Sequence, residues 1–285
     1  MKGLVDSHSH LQFEEFDSDR EAVLAQGRAA GVEAVVVLGT DVSTSEQALA
    51  LADLGGLNRA ERFPEVIATA GCHPHDAASM DRESWRRLEE LVRHPRTAAV
   101  GEIGLDFYRN LSPPETQLEV FRRQLELAAD LGLPVAVHCR DAHSEMEATV
   151  REWVGRRRAG SAGLLGVMHY FSGDPDLARR YVEMGFLISI HGSVTYPNSE
   201  RLRQVAAALP LEALVLETDA PYGAPQSRRG TRNEPAYLVE TAESVAALRG
   251  EPVERVAAVT GKNARRLFGG RAPKPEAVGT GEAAC

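Results

Sequence analysis

Residues 98–137 read AAVGEIGLDFYRNLSPPETQLEVFRRQLELAADLGLPVAV. The apolar runs Ala98–Val100 and Pro134–Val137 lack polar alternation, which is typical of strands buried on both faces. Between them, Glu115–Gly132 places apolar residues at helical spacing and ends at a glycine. This stretch therefore predicts a strand, a helix and a second strand parallel to the first.

The same alternation runs along most of the chain, which has 285 residues. Six further apolar runs are Leu4–Val5, Ala34–Leu38, Val66–Ala70, Leu164–Met168, Phe186–Ile190 and Leu214–Leu216. Helical patterns also cover Asp17–Gly31 and Asp174–Gly185. Eight strands alternating with helices predict an α/β fold, a single (β/α)8 TIM barrel over residues 1–269. An open doubly wound sheet is the alternative, but no Gly-x-Gly-x-x-Gly turn follows the first strand.

Composition narrows the class of protein. The net charge of −9 argues against a basic surface that coats nucleic acid without regard to sequence. Three cysteines do not form a disulfide framework, which favours a reducing cytoplasm. We expect no secretory signal and no membrane span, because no apolar run is long enough. Residues 270–285 are rich in Pro, Gly, Ala and Glu, and we expect a disordered tail there.

Polar residues follow the apolar runs where catalytic groups of such barrels lie, at the carboxyl ends of the strands. Strand ends one, four, five, six and eight carry His8, His10, Glu102, His138, His169 and Asp219. Taken singly, each has an ordinary alternative: a solvated loop histidine, a satisfied core histidine, a salt-bridged glutamate or a turn aspartate. Together they form the imidazole and carboxylate mixture that binds zinc, manganese and related hydrolytic ions. The conjunction predicts a metal site.

Several motifs in chain order resemble one known family. They are Asp6-Ser-His-Ser-His10, Gly71-Cys-His-Pro-His75, Gly101-Glu-Ile-Gly-Leu-Asp106, His138-Cys-Arg140, His169-Tyr-Phe-Ser-Gly173, Glu217-Thr-Asp-Ala-Pro-Tyr222 and Arg232-Asn-Glu-Pro235. This set is similar to the TatD family of metal-dependent deoxyribonucleases, in the amidohydrolase superfamily, from about Leu4 to Phe268. Phe107 and Tyr170 depart from the family pattern at positions that are not ligands by this resemblance.

The resemblance implies two divalent ions per chain, which can be Zn, Mn, Mg, Ni or Co. It assigns one ion to His8, His10, Glu102 and Asp219, and the other to Glu102, His138 and His169. Many binuclear amidohydrolases bridge their metals with a carboxylated lysine, but this chain has no lysine between Lys2 and Lys262. A carboxylate must then bridge, and Glu102 is the best-placed candidate.

The resemblance also predicts the reaction. A metal-activated water would hydrolyse DNA phosphodiester bonds, in an exonuclease-like manner on single strands or accessible ends. Glu102 and Asp219 would be catalytic, with Asp219 as the base, and His73 would contact the phosphate or the leaving oxygen. Predicted substrate contacts are His75, Tyr108, Arg140, Tyr170 and Arg232. The alternatives are a capped turn around Pro74, pocket-wall tyrosines and solvated arginines.

Two other functions stay open at this point. The same site could hydrolyse an amide, a lactone or an aminoacyl ester, since a metal-activated water attacks carbonyl and phosphoryl centres alike. A barrel that keeps its metal only to hold a partner surface is a further alternative, but the complete ligand set argues against it. The sequence is compatible with a monomer and does not specify an oligomeric state.

Overall fold

The eight strands of the protein pair in parallel, in chain order, and close into a barrel where β1 meets β8. The computed structural model describes residues 1–53, 61–156 and 163–269. The strands are β1 Leu4–Ser9, β2 Val32–Leu38, β3 Glu65–Ala70, β4 Thr97–Asp106, β5 Val135–Arg140, β6 Gly166–Met168, β7 Phe186–Ile190 and β8 Leu214–Leu216. Helices in these residues are α1 Arg20–Ala30, α2 Val42–Asp53, α3 Arg82–Arg93, α4 Pro114–Leu131, α5 His143–Arg156, α6 Pro175–Glu183, α7 Glu200–Ala208, α8 Leu238–Arg249 and α9 Val253–Phe268. The predicted (β/α)8 barrel is confirmed.

Three strands run further than their apolar runs predict. β1, β4 and β5 extend through polar residues to Ser9, Asp106 and Arg140. The polar segments remain in strands because their backbone groups still pair with neighbours, as in the register of Asp106 with Arg140. His8, Glu102 and His138 are therefore held by the sheet itself.

Two other expectations concern the C-terminal tail and membrane spans. The predicted disordered tail, residues 270–285, lies outside the described residues. None of the helices in the described ranges has the length and apolar character needed to cross a bilayer.

A bulge in β1 sets which of its side chains face the barrel axis. Asp6 pairs with Val35 and Ser9 with Val37, so three steps along β1 match two along β2. Ser9 turns away and donates its hydroxyl to the carbonyl of Val36, at 2.9 Å. The two flanking histidines, His8 and His10, both face inward as a result.

The contact between β4 and β5 requires a glycine. Gly104 has φ +146° and pairs with His138 across the two strands. A Cβ atom there would lie 1.9 Å from the carbonyl oxygen of His138, so no other residue fits without moving the strands. This close approach brings β4, with Glu102, next to β5.

The barrel interior is closed at its N-terminal end by α9. Ala264, Leu267 and Phe268 belong to the same buried cluster as inward-facing strand residues such as Val36 and Val215. Arg265 fastens this end of α9 by an ion pair of 2.8 Å with Glu65, the first residue of β3. The polar strand ends lie at the opposite, C-terminal end of the barrel.

Candidate metal centre

The six predicted ligands converge at the C-terminal end of the barrel. His8 and His10 come from β1 or its end, Glu102 from β4 and His138 from β5. His169 directly follows β6, and Asp219 lies three residues after the end of β8. Their side chains are between 0% and 16% exposed. Such burial is costly for carboxylates unless positive charge or hydrogen bonds compensate.

The first group of donor atoms contains the Nε2 atoms of His8 and His10 and one oxygen each of Glu102 and Asp219. The two Nε2 atoms are 3.2 Å apart, and each is 3.4 Å from Glu102 Oε2. Asp219 Oδ1 lies 3.8 Å from His8 Nε2 and 3.7 Å from His10 Nε2. Four ligands bound tetrahedrally at zinc-like distances are about 3.3–3.6 Å apart, so this group fits a single divalent ion.

The second group surrounds the other oxygen of Glu102. His138 Nδ1 lies 3.0 Å from Glu102 Oε1, and His169 Nε2 lies 3.6 Å from it. His73 Nε2, from the segment after β3, is also 3.6 Å from this oxygen. Glu102 therefore presents one carboxylate oxygen to each group, which is the arrangement that a bridging ligand needs.

The hydrogen bonds of the histidines indicate which ring nitrogen carries the proton and which has a lone pair free for a metal ion. His10 donates Nδ1–H to the carbonyl of Leu38 at 3.0 Å, and His169 donates Nδ1–H to Glu217 at 3.0 Å. His138 donates Nε2–H to Asp106 at 3.2 Å. In each neutral ring the nitrogen that faces Glu102 is then unprotonated, as metal ligation requires. The donor set fits divalent metal.

His73 has the opposite tautomer. Its outer nitrogen, Nδ1, accepts the backbone N–H of His75 at 3.1 Å. In the neutral ring the proton must then sit on Nε2, the atom that points toward Glu102. His73 is therefore arranged as a hydrogen-bond donor in the site, although its distance alone would place it among the metal-binding group of Glu102 and His138.

Comparison with known protein families gives a match over residues 5–269 to the family described as TatD related DNase. The chain belongs to the TatD related DNase family. This membership confirms the resemblance inferred from the motifs, and with it the prediction of a TatD-type metal-dependent hydrolase that acts on ester bonds.

Individual TatD relatives agree over nearly their whole length. The chain is 36% identical to an uncharacterized metal-dependent hydrolase of Bacillus subtilis, YabD, covering 93% of this chain and 98% of that protein. It is 37% identical to the 3'-5' ssDNA/RNA exonuclease TatD of Klebsiella pneumoniae, with the same coverage of 93% and 98%. The crystal structure of the TatD homologue YJJV from Escherichia coli superposes with a TM-score of 0.83 at 32% identity, covering 95% and 98% of the two chains.

Two carboxylates behind the histidines were not among the predicted site residues of this TatD family member. Glu217 accepts from His169 and from the backbone N–H of Tyr170, and it is fully buried. Asp106 accepts from both His138 and His75, the latter at 2.9 Å. Asp106 ends one of the motifs quoted above and Glu217 begins another, but sequence position alone does not distinguish a ligand from the residue that orients it.

Asp219 has a conformation and an environment that set it apart from its neighbours in the TatD site. Its φ is +61°, and its backbone N–H donates to the carbonyl of His8 at 2.9 Å. Asp6 accepts both the hydroxyl and the N–H of Thr218 and thereby holds the chain just before Asp219. Burial, with the negative charges of Glu102 and Glu217, raises the pKa of Asp219 to about 8. A nearby cation would lower this pKa, because positive charge favours the carboxylate.

The predicted substrate contacts of the TatD site divide into two sets. Tyr108 and Arg140 are exposed at the mouth of the site, and the Arg140 guanidinium lies 3.9 Å above the Tyr108 ring. Tyr170, next to His169, is half-buried and stacks on His191 at 3.6 Å. Arg232 is instead bound bidentately to Asp19, at 2.9 and 2.6 Å, and stacks on Phe16. The guanidinium of Arg232 donates its hydrogen bonds to residues of two loops and so joins them. The proposed substrate site therefore does not include Arg232.

Proposed function

We propose that this chain is an exonuclease that uses two divalent metal ions to remove nucleotides from the end of single-stranded DNA or RNA, in the 3'-to-5' direction. The observation that carries this proposal is the position of Glu102, with one oxygen facing each group of donor atoms. The substrate and the polarity are those after which TatD relatives such as the Klebsiella pneumoniae exonuclease are named.

Charge supports a pair of ions. Four carboxylates are buried together around the histidines: Glu102, Asp106, Glu217 and Asp219. Among the described residues, no arginine or lysine forms an ion pair with any of them. Two divalent cations would balance four negative charges and leave an anionic phosphodiester free to approach.

Bound divalent ions would activate a water molecule and stabilise the charge that develops on the phosphoryl oxygens. Residues of the chain itself would orient the water, accept its proton and line the path of the product. Asp219, held at the edge of both groups, would orient the attacking water and accept its proton. Tyr170, half-buried next to His169, would line the path of the departing nucleotide. His75 contacts Asp106 and so acts on the site through that carboxylate rather than through substrate.

Access to the metal centre favours a strand end as substrate. The carboxylates that would hold metal, Glu102 and Asp219, are only 3% and 13% exposed. The phosphates of a paired duplex lie on the outside of a stiff double helix, so they cannot reach such buried groups without local opening. A free, unpaired end can enter. This supports exonucleolytic action and a preference for single strands.

The decisive experiment is an activity screen with metal-reconstituted protein. We expect release of nucleotides from linear single-stranded DNA and RNA, slower attack on blunt duplex DNA, and loss of activity in a chelator. Aminoacyl-tRNA, amides and lactones belong in the same screen because the competing reading predicts them. Faster hydrolysis of any of these than of every nucleic acid would show that the bond is assigned wrongly, and inactivity on all of them would favour a binding role.

His73 provides a test that separates a hydrogen-bond donor from a ligand. We expect His73→Ala to keep its full metal content and to lose about 10²-fold in turnover, the usual effect of removing one donor to a developing oxyanion. Metal analysis and steady-state kinetics on one preparation measure both. His138→Ala is the matched comparison, since the same change there should release metal. Equal metal loss in the two variants would make His73 a ligand.

A further inference from the structure

Exposed aromatic and apolar side chains gather around the mouth of the metal centre. Tyr108 and Leu111, in the loop between β4 and α4, are 62% and 63% exposed, and Tyr222, which follows Asp219, is 54% exposed. They are three of the five large apolar side chains exposed among the described residues. Scattered exposed residues are ordinary, but a group at one end of the barrel marks an interaction surface.

Two guanidinium groups lie among these side chains. Arg140 stacks on Tyr108 at 3.9 Å. Arg109 directly follows Tyr108, in the loop after β4. Within the described ranges, neither arginine forms an ion pair with a carboxylate. We call Tyr108, Arg109, Leu111, Arg140 and Tyr222 the mouth surface.

Backbone contacts tie the mouth surface to the reacting groups. The N–H of Arg109 donates to Asp106 Oδ1 at 2.7 Å, and Asp106 is the carboxylate that orients His138. The N–H of Tyr222 donates to the carbonyl of Asp219 at 2.8 Å. A chain bound on this surface would therefore lie directly beside the proposed reaction site.

The loop that carries Tyr108 is held rigidly from below. Ser112, only 1% exposed, donates to the carbonyl of His75 at 2.8 Å and accepts the N–H of Ala78 at 3.0 Å. Gln117 donates to the carbonyl of Ser112 at 2.7 Å. An exposed ring on an ordered loop loses little conformational entropy when a ligand stacks on it.

We propose that the mouth surface binds the unpaired nucleotides next to the reacting one, with bases stacked on Tyr108 and Tyr222 and phosphates paired with Arg109 and Arg140. This inference rests on the proposed nuclease function and specifies how that site selects its substrate. Base stacking on exposed rings tolerates any sequence, and guanidinium groups pair with backbone phosphates, so the surface suits a single strand of mixed sequence. Bases inside a duplex are already stacked on each other and are not available to the rings.

The test compares a polymer with a small substrate that cannot reach the mouth surface. An eight-nucleotide oligothymidylate and bis(4-nitrophenyl) phosphate serve as the pair, with kcat/KM measured for each. We expect Tyr108→Ala, Tyr222→Ala and Arg140→Gln each to lower the ratio of the two values by about tenfold or more, the effect typical of one lost stacking or phosphate contact. The side chains of Tyr108 and Tyr222 are exposed, so we expect the variants to fold, and circular dichroism tests this.

Leu248→Ala and Arg93→Gln are matched controls. Both side chains are exposed, and they lie in the last turns of α8 and α3, at the end of each helix that is distant from the mouth. The ratio should not change in either. An unchanged ratio in the mouth variants would overturn the inference and leave the nuclease function standing. A shift in oligomeric state on size exclusion, with an unchanged ratio, would overturn it in favour of a second copy as the occupant. Wild-type protein that cleaves only the small diester would instead refute the proposed function itself.

Discussion

Replacing Asp219 by asparagine should slow turnover by about 10²–10⁴-fold while most of the metal stays bound. The amide has nearly the same shape and keeps one oxygen that can face His8 and His10, but it cannot accept a proton. Asparagine also tolerates the left-handed backbone conformation of this position, where φ is +61°, so the local fold should persist. The loss would then measure proton transfer rather than assembly of the site.

Metal content and the single-turnover rate must be determined on the same Asp219→Asn preparation. His138→Ala serves as the comparison: it should lose metal from the second group, and excess metal should partly restore its activity. If Asp219 only shapes the turn before Pro221, its replacement should cost about 1 kcal/mol of stability and leave turnover near the wild-type value. That result would remove Asp219 from the mechanism.

Replacing Glu102 by glutamine should deplete metal from both groups at once and lower activity by about 10³-fold or more, since metal ions contribute several kcal/mol to such transition states. The carboxylate faces two sets of donors, and the amide offers only one oxygen and no charge. Elemental analysis after purification in metal-replete buffer, with and without chelator, gives the stoichiometry.

His169→Ala is the matched variant for Glu102→Gln, because His169 approaches only one oxygen of Glu102. We expect it to lose less metal than Glu102→Gln and to retain the ion near His8 and His10. Circular dichroism confirms that each variant is folded. Equal losses from the two variants would contradict a bridging role for Glu102, and a stoichiometry near zero in the wild-type protein would refute the metal centre altogether.

The barrel was predictable because each of its eight apolar runs overlaps one strand, and six of them lie wholly within it. The polar residues at the ends of those runs, from His8 to Asp219, point to the same end because parallel strands place their carboxyl ends together. What could not be predicted is the exact extent of β4, whose polar second half, from Gly101 to Asp106, remains in the sheet. Apolar periodicity gives no signal where a strand is lined by functional groups.

Roles that depend on hydrogen bonds were beyond the reach of the sequence. The sequence does not show that His73 Nδ1 accepts the N–H of His75, or that Asp106 and Glu217 accept from His138 and His169. Arg232 lies in a loop after β8, yet its guanidinium pairs with Asp19 at 2.6 Å. The position of a residue in the sequence predicts that it lies near the site, but not which group it contacts there.

Among the described residues, α9 packs against the N-terminal end of the barrel, so the metal centre opens at the C-terminal end alone. A strand that enters must share this opening with the nucleotide that leaves, so entry and exit compete in every cycle. The remaining strand has to retreat, or the product has to slip past it, before the next bond can be reached. We therefore expect distributive digestion, in which the proposed enzyme removes few nucleotides from a strand before releasing it. Processive digestion of single molecules would contradict this geometry.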